Sequence, residues 1–350
     1  MNNTFYTTPD TPAEPSLLPP EALYDPAAIR RTFSRLGWGY VVLVAVLMLV
    51  SYAIQFAILF LCPQYLSAWW LTWVLSLVPL YGVALPCLWL VIRRMPVAPH
   101  NPDYTNSYRV TADKPRFTVG HWLILLVIGL GCMYAGGIAG NVLMLILSAI
   151  MDYDYANVLN QVIGESPLWM TFIGTCICAP IGEELLFRKL LIDRTRGYGD
   201  LTAILLSGLL FALFHGNLFQ FFYALLLGMI LAYVYTRSGS LWPCVAMHAA
   251  VNFLGSIVLP KIAEYVPADT MEFTSPVQIL ATMFIMLWQY GFMLAALVLI
   301  CVMWRRRKLS RGTAPLYREN GPALVLGNVG MIACLIVMGL LLAINLIPVR

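Results

Sequence analysis

The side chains best placed to do chemistry together are the carboxylates of Glu183 and Glu184 and the imidazoles of His215 and His248. Of seventeen Asp and Glu residues, only this adjacent pair lies well inside an apolar stretch, and of four His only these two lie in or at the end of one. A charge at bilayer depth costs about 3 kcal/mol even on permissive insertion scales, so such residues point to a functional site. They fall in three short motifs: Glu183-Glu184 with Arg188, Phe211 with His215, and His248 with Asn252. The chemistry these types allow is hydrolysis. A poorly solvated carboxylate is a stronger base than one in water. Glu183, aided by His215, could therefore take a proton from a water attacking a carbonyl carbon. His248 and Asn252 could donate hydrogen bonds to the resulting oxyanion, each worth about 3 kcal/mol.

Helical spacing divides the roles. Glu184 and Arg188 are four apart and share a face, so an ion pair between them neutralises one acid. Glu183 points about 100° away from Glu184 and is free to face a cavity. His248 and Asn252, again four apart, stack on one face. Phe211 reads as packing beside His215, and Glu184 and Arg188 as supports that hold the geometry. Counted at about 1.5 Å per residue, Glu183 lies ~15 Å, His248 ~10 Å and His215 ~22 Å from the cytoplasmic ends of their segments. A shared cavity in the cytoplasmic half thus requires tilt or a recessed helix start.

The elements that must position these groups are membrane helices. The chain has 350 residues, 60% hydrophobic and 11% charged, far below the roughly 25% charged of soluble domains. Nine apolar stretches approach the length a bilayer core requires: 37–62, 68–92, 119–150, 167–192, 201–215, 218–236, 241–259, 276–304 and 323–347. The fold expected is all-α, a polytopic bundle of about nine transmembrane helices. Its organisation reads as a disordered cytoplasmic tail (1–35), amino-terminal spans (36–150), a catalytic core (151–260) and carboxyl-terminal spans (261–350). Trp69, Trp70, Trp73 and Trp242 read as interfacial anchors.

Nineteen of the twenty-one Lys and Arg fall at alternate ends of these stretches, leaving only Lys261 and Arg350 outside. Basic residues collect on the cytoplasmic side. The amino terminus is therefore expected inside and the carboxyl terminus outside, in the cell membrane. Residues 1–29 hold six prolines and no basic residue, unlike a cleavable signal peptide. The formal charge of +4 gives no reason to expect nucleic acid. The eight scattered cysteines carry no metal or disulfide spacing and read as small apolar residues.

The three motifs, in order on successive segments, resemble EExxxR, FxxxH and HxxxN of the CPBP (CAAX protease and bacteriocin-processing, Abi) intramembrane proteases, related to the CAAX prenyl protease type II family. Residues 183–188, 211–215 and 248–252 match at every motif position. The resemblance covers about residues 165–258. It implies an intramembrane endopeptidase processing CAAX-type lipidated proteins, or acting in peptide maturation or bacteriocin immunity, with membrane lipids and a peptide or lipidated protein as partners. It also implies the same residue roles.

Metal use is open at this level. Glu183, His215 and His248 are suitable zinc ligands, yet no HExxH occurs, and the metal-free glutamate route is the expectation. The competing class is a non-enzymatic membrane protein: a transporter whose buried acid carries protons, or an immunity or scaffold protein with a vestigial site. A proton carrier would tolerate loss of Asn252, whereas a protease would not.

Overall fold

The computed structural model describes residues 25–98, 117–267, 273–303, 309–310, 312, 316 and 320–347. It is a helical bundle, with no strand among the described residues. Seven helices are long and apolar enough to cross a membrane: α1 (Pro26–Leu61), α2 (Trp69–Ile92), α3 (Val119–Met151), and, after the short α4 (Val158–Glu165), α5 (Leu168–Tyr198), α7 (Leu218–Ser238), α8 (Trp242–Ala263) and α9 (Pro276–Met303). Two shorter apolar helices, α6 (Asp200–Phe214) and α11 (Val329–Ile344), complete the set, with α10 (Gly321–Val325) leading into α11. Each of the nine expected stretches is mainly helical among the described residues, but the last, 323–347, is broken at 326–328 between α10 and α11.

Helix ends are set by local chemistry. Asp25 caps α1, accepting from the Ala27 amide at 2.8 Å, with Pro26 pre-set for the first turn. Asn217 caps α7 through the Gln220 amide, and Asn328 caps α11 through Met331. α1 takes in residues 26–35, so Arg30, Arg31 and Arg35 ride on helix; residues 1–24 of the segment read as tail lie outside the described residues. α5 also outruns its apolar stretch, continuing past Ile192 to Tyr198. The reason is that Arg194 finds acceptors in the bundle, the carbonyls of Ile92 and Leu190. Gly199, at φ 112°, makes the sharp joint to α6.

Two apolar clusters form the interior. One joins α1, α2, α5, α6 and α11; the other joins α3, α7, α8 and α9 with parts of α5 and α6. Glycines allow the tightest crossings: a Cβ on Gly37 would strike the Gly330 backbone between α1 and α11. Outside, rows of large apolar side chains such as Phe56, Phe60, Leu280, Leu287 and Leu294 stand exposed, the surface a lipid-embedded bundle presents. Trp242 is exposed at the start of α8, but Trp73 is not the interfacial anchor expected of it. It is buried, donates Nε1–H to Ser166 at 2.8 Å, and its ring lies over Gly174.

Four wide, π-type turns interrupt the spans: 80–84 in α2, 172–178 and 185–190 in α5, and 254–258 in α8. Three of them end two residues before a proline, at Pro86, Pro180 and Pro260. Proline offers no N–H to the carbonyl one turn back, so the ladder reopens there. The turn at 185–190 has no proline. Instead the Tyr40 hydroxyl donates to Leu186 O and the Ser207 hydroxyl to Phe187 O, both at 2.8 Å, drawing those carbonyls out of the ladder.

Candidate active site

Glu183 and Glu184 occupy the regular turn of α5, 179–184, between its two wide segments. Glu184 and Arg188 are both fully buried, with Arg188 Nε 2.9 Å from Glu184 Oε2. The contact is an ion pair whose N–H falls short of hydrogen-bond alignment, for both atoms lack a hydrogen bond that meets angular criteria. Arg188 extends Nη1 to the Ser207 hydroxyl at 3.4 Å and lays Cζ 4.7 Å from the centre of the Phe211 ring. That ring face offers a cation further attraction in a dry setting. Phe211 is therefore more than packing: its ring touches Arg188, His215 (4.8 Å between centroids) and His248 (5.7 Å).

His248 bridges the two acids. Its Nδ1 lies 2.9 Å from Glu184 Oε1, and its Nε2 lies 3.8 Å from Glu183 Oε2. Glu183 is the more open of the pair, with its side chain 16% exposed against none for Glu184. One acid is thus wholly enclosed and the other partly open, as the ~100° between successive helix positions allows.

His215 closes α6. The last turn tightens, sending the His215 amide to Ala212 O and the Gly216 amide to Leu213 O. The released Phe211 carbonyl is taken by His215 Nδ1 at 2.8 Å. A carbonyl only accepts, so Nδ1 carries the hydrogen and Nε2 is the basic nitrogen of the neutral ring. Gly216, at φ 66°, turns the chain, and Asn345, just past the end of α11, fastens it by donating to Gly216 O at 2.6 Å. Asn252 donates Nδ2–H to Thr175 O in the first wide turn of α5 at 2.8 Å. Tyr81 likewise donates to Cys178 O in that turn, in space that exists because residue 182 lacks a side chain.

The depth mismatch expected from segment lengths is resolved by two findings. α5 ends at Tyr198 rather than near 192, so Glu183 and His215 are each fifteen residues from the joint at 198–200, about 22 Å at helical rise. α8 starts recessed: Cys244 Sγ reaches Leu231 O at 3.5 Å, seven residues inside the end of α7.

Sequence reasoning missed Ser207, Tyr40, Tyr81, Thr175 and Asn345. Ser207 alone carried a signal, standing four residues before Phe211 on the same face of α6. Among the described residues no three His, Cys, Asp or Glu side chains gather closely enough to hold a metal ion. His248 Nδ1 is engaged by Glu184 and His215 Nδ1 by Phe211. Those two bonds leave Nε2 as the outward nitrogen of each ring, the orientation common to catalytic and metal-binding imidazoles.

The motifs have a counterpart in known proteins. Residues 165–254, about a quarter of the chain, match the family model described as Type II CAAX prenyl endopeptidase Rce1-like. No curated protein and no solved structure matches. The matched stretch runs from the end of α4 through α8 as far as Leu254, and it contains every motif residue named above. With its apolar helices, the chain is an integral membrane protein whose segment 165–254 is similar to the type II CAAX prenyl endopeptidases of the Rce1-like family.

Proposed function

We propose that this protein is an intramembrane endopeptidase in which Glu183 activates the attacking water. The observation that carries the reading is the division of labour around His248: Glu184 is buried and held by Arg188 and Nδ1, while Glu183 stands open beside Nε2. A water between Glu183 and the free Nε2 of His215 loses a proton to the carboxylate as its oxygen adds to the peptide carbonyl carbon. The oxyanion then forms beside His248 and Asn252. With a proton at Nε2, His248 donates there. Asn252 has two amide hydrogens and spends one on Thr175 O, leaving the other for the oxyanion. Collapse breaks the C–N bond, and the proton held by Glu183 passes to the leaving amine.

The substrate class that fits is an extended peptide near the cytoplasmic membrane face, such as the carboxyl-terminal tripeptide of a lipidated CAAX-type protein or a maturing peptide. The test is cleavage of a prenylated CAAX peptide by purified protein. Glu183→Gln, His215→Ala and His248→Ala should each lower turnover at least ~100-fold, and exhaustive chelation should leave the unmodified protein active. Undiminished cleavage by all three variants would refute the assignment. Loss of activity on chelation, restored only by zinc, would replace the side-chain route with a metal one.

A further inference from the structure

Beside Glu183 and His215 stands a second polar run that the three motifs do not include, in the first turns of α7. Asn217, the cap of that helix, accepts from the Gln220 amide at 2.9 Å and donates Nδ2–H to Gln220 Oε1 at 2.5 Å. That bond fixes the Gln220 side chain with its nitrogen outward. Gln220 Nε2 then donates to the Tyr223 hydroxyl at 2.6 Å. A phenolic oxygen that accepts from an amide still has a hydrogen to give. Among the described residues no acceptor takes it.

The surroundings say where that hydrogen is used. The Tyr223 ring lies edge-on to the His215 ring, 6.5 Å between centroids, and its hydroxyl is close enough for the Glu183 carboxylate to act on it electrostatically, although no hydrogen bond joins the two here. Its backbone is pinned to α3, since a Cβ on Gly136 would collide with Tyr223 N and Cα. Tyr81 offers a contrast: it too lies within electrostatic reach of Glu183, but its hydroxyl hydrogen is spent on Cys178 O. Tyr223 is half-buried and its hydroxyl oxygen is already partnered by Gln220; its remaining hydrogen is free, and a carboxylate is the strongest acceptor a phenol can meet.

We propose that Tyr223 is a positioning residue of the hydrolytic centre: its hydroxyl, oriented by Gln220, donates to the Glu183 carboxylate and fixes which oxygen faces the attacking water. This rests on the proteolytic reading above. The relay Asn217–Gln220–Tyr223 carries no charge and does not touch substrate. Its effect is on the geometry of the base, and therefore on the chemical step rather than on peptide binding.

The experiment measures kcat and KM for a prenylated CAAX peptide with purified full-length Tyr223→Phe, Gln220→Met and the double variant, with Glu183→Gln as reference. Losing a hydrogen bond to a charged group corresponds to about a 10- to 100-fold change. Tyr223→Phe should lower kcat by that factor with KM within about twofold, a signature of a lost transition-state interaction. Gln220→Met should lower kcat less, and should cost nothing further in the Tyr223→Phe background, because both act through one hydroxyl. The inference is overturned if Tyr223→Phe keeps the parental kcat while Glu183→Gln is inactive, or if the two losses multiply independently. An active Glu183→Gln instead sinks the proteolytic reading itself. Melting in detergent, expected to change little for Tyr223→Phe, separates positioning from stability; a kcat loss that simply tracks unfolding also overturns the proposal.

Discussion

Arg188 and Glu184 show how a charge survives at this depth. Both are wholly buried, and each has the other, an imidazole or an aromatic face as its compensation. The pair is not a source of net stability, because removing two ions from water costs about what their attraction returns. Removing one partner is a different matter. Arg188→Met leaves Glu184 with only His248 for support, and such uncompensated burial typically costs about 3–5 kcal/mol. Thermal melting in detergent should register that loss, and Glu184→Gln in the same chain should recover part of it. The recovered double variant should still turn over slowly, because an amide at 184 accepts from His248 Nδ1 more weakly than the carboxylate does. At this scale the spacing of the motif residues was legible: Glu184 and Glu183 lie 2.9 and 3.8 Å from His248, and the Phe211 ring packs against both His248 and His215. What each side chain spends its hydrogens on was not. Asn252 looked free for an oxyanion, yet one of its hydrogens serves the opened backbone of α5.

The wide turns of α5 are the feature of the helices that the site depends on. They leave one stretch of regular helix between them, 179–184, and side chains from four other helices fill the carbonyls that open: Asn252 from α8, Tyr81 from α2, Tyr40 from α1 and Ser207 from α6. In a bilayer no water substitutes for these donors. Gly182 is the tight point, since any side chain there would meet the Tyr81 ring and hydroxyl directly. Gly182→Ala must move the backbone that carries Glu183, and a shift of about 1 Å is enough to cost ~100-fold in turnover. A cleavage assay should show that loss, with partial recovery when Tyr81→Phe is added to relieve the clash. Proline spacing at 86, 180 and 260 was visible in the chain; the turn at 185–190 had no such marker, because hydroxyls from other helices create it. The end of α5 was misplaced for a related reason. Hydropathy stops at the first charges, whereas Arg194 continues the helix on acceptors that only the packed bundle supplies.

For the whole molecule, we propose from the basic residues at alternate span ends an amino terminus in the cytoplasm and a carboxyl terminus across the membrane. A reporter fused after residue 350 should be active only when it functions outside the cytoplasm, and one fused before residue 1 only inside. The opposite result would put the site near the other face. Composition and apolar run length determined that this chain is a bundle of membrane helices, because the bilayer admits few alternatives, and the isolation of four titratable groups in that apolar background determined where to look. Tertiary structure alone decided which helices touch. Apolar side chains on all faces of a span give no direction to its packing, so the approach of Trp73 to Gly174, of Asn345 to Gly216 and of Tyr223 to His215 depends on shape and on polar groups seeking partners across helices, information spread over several spans and absent from any one of them.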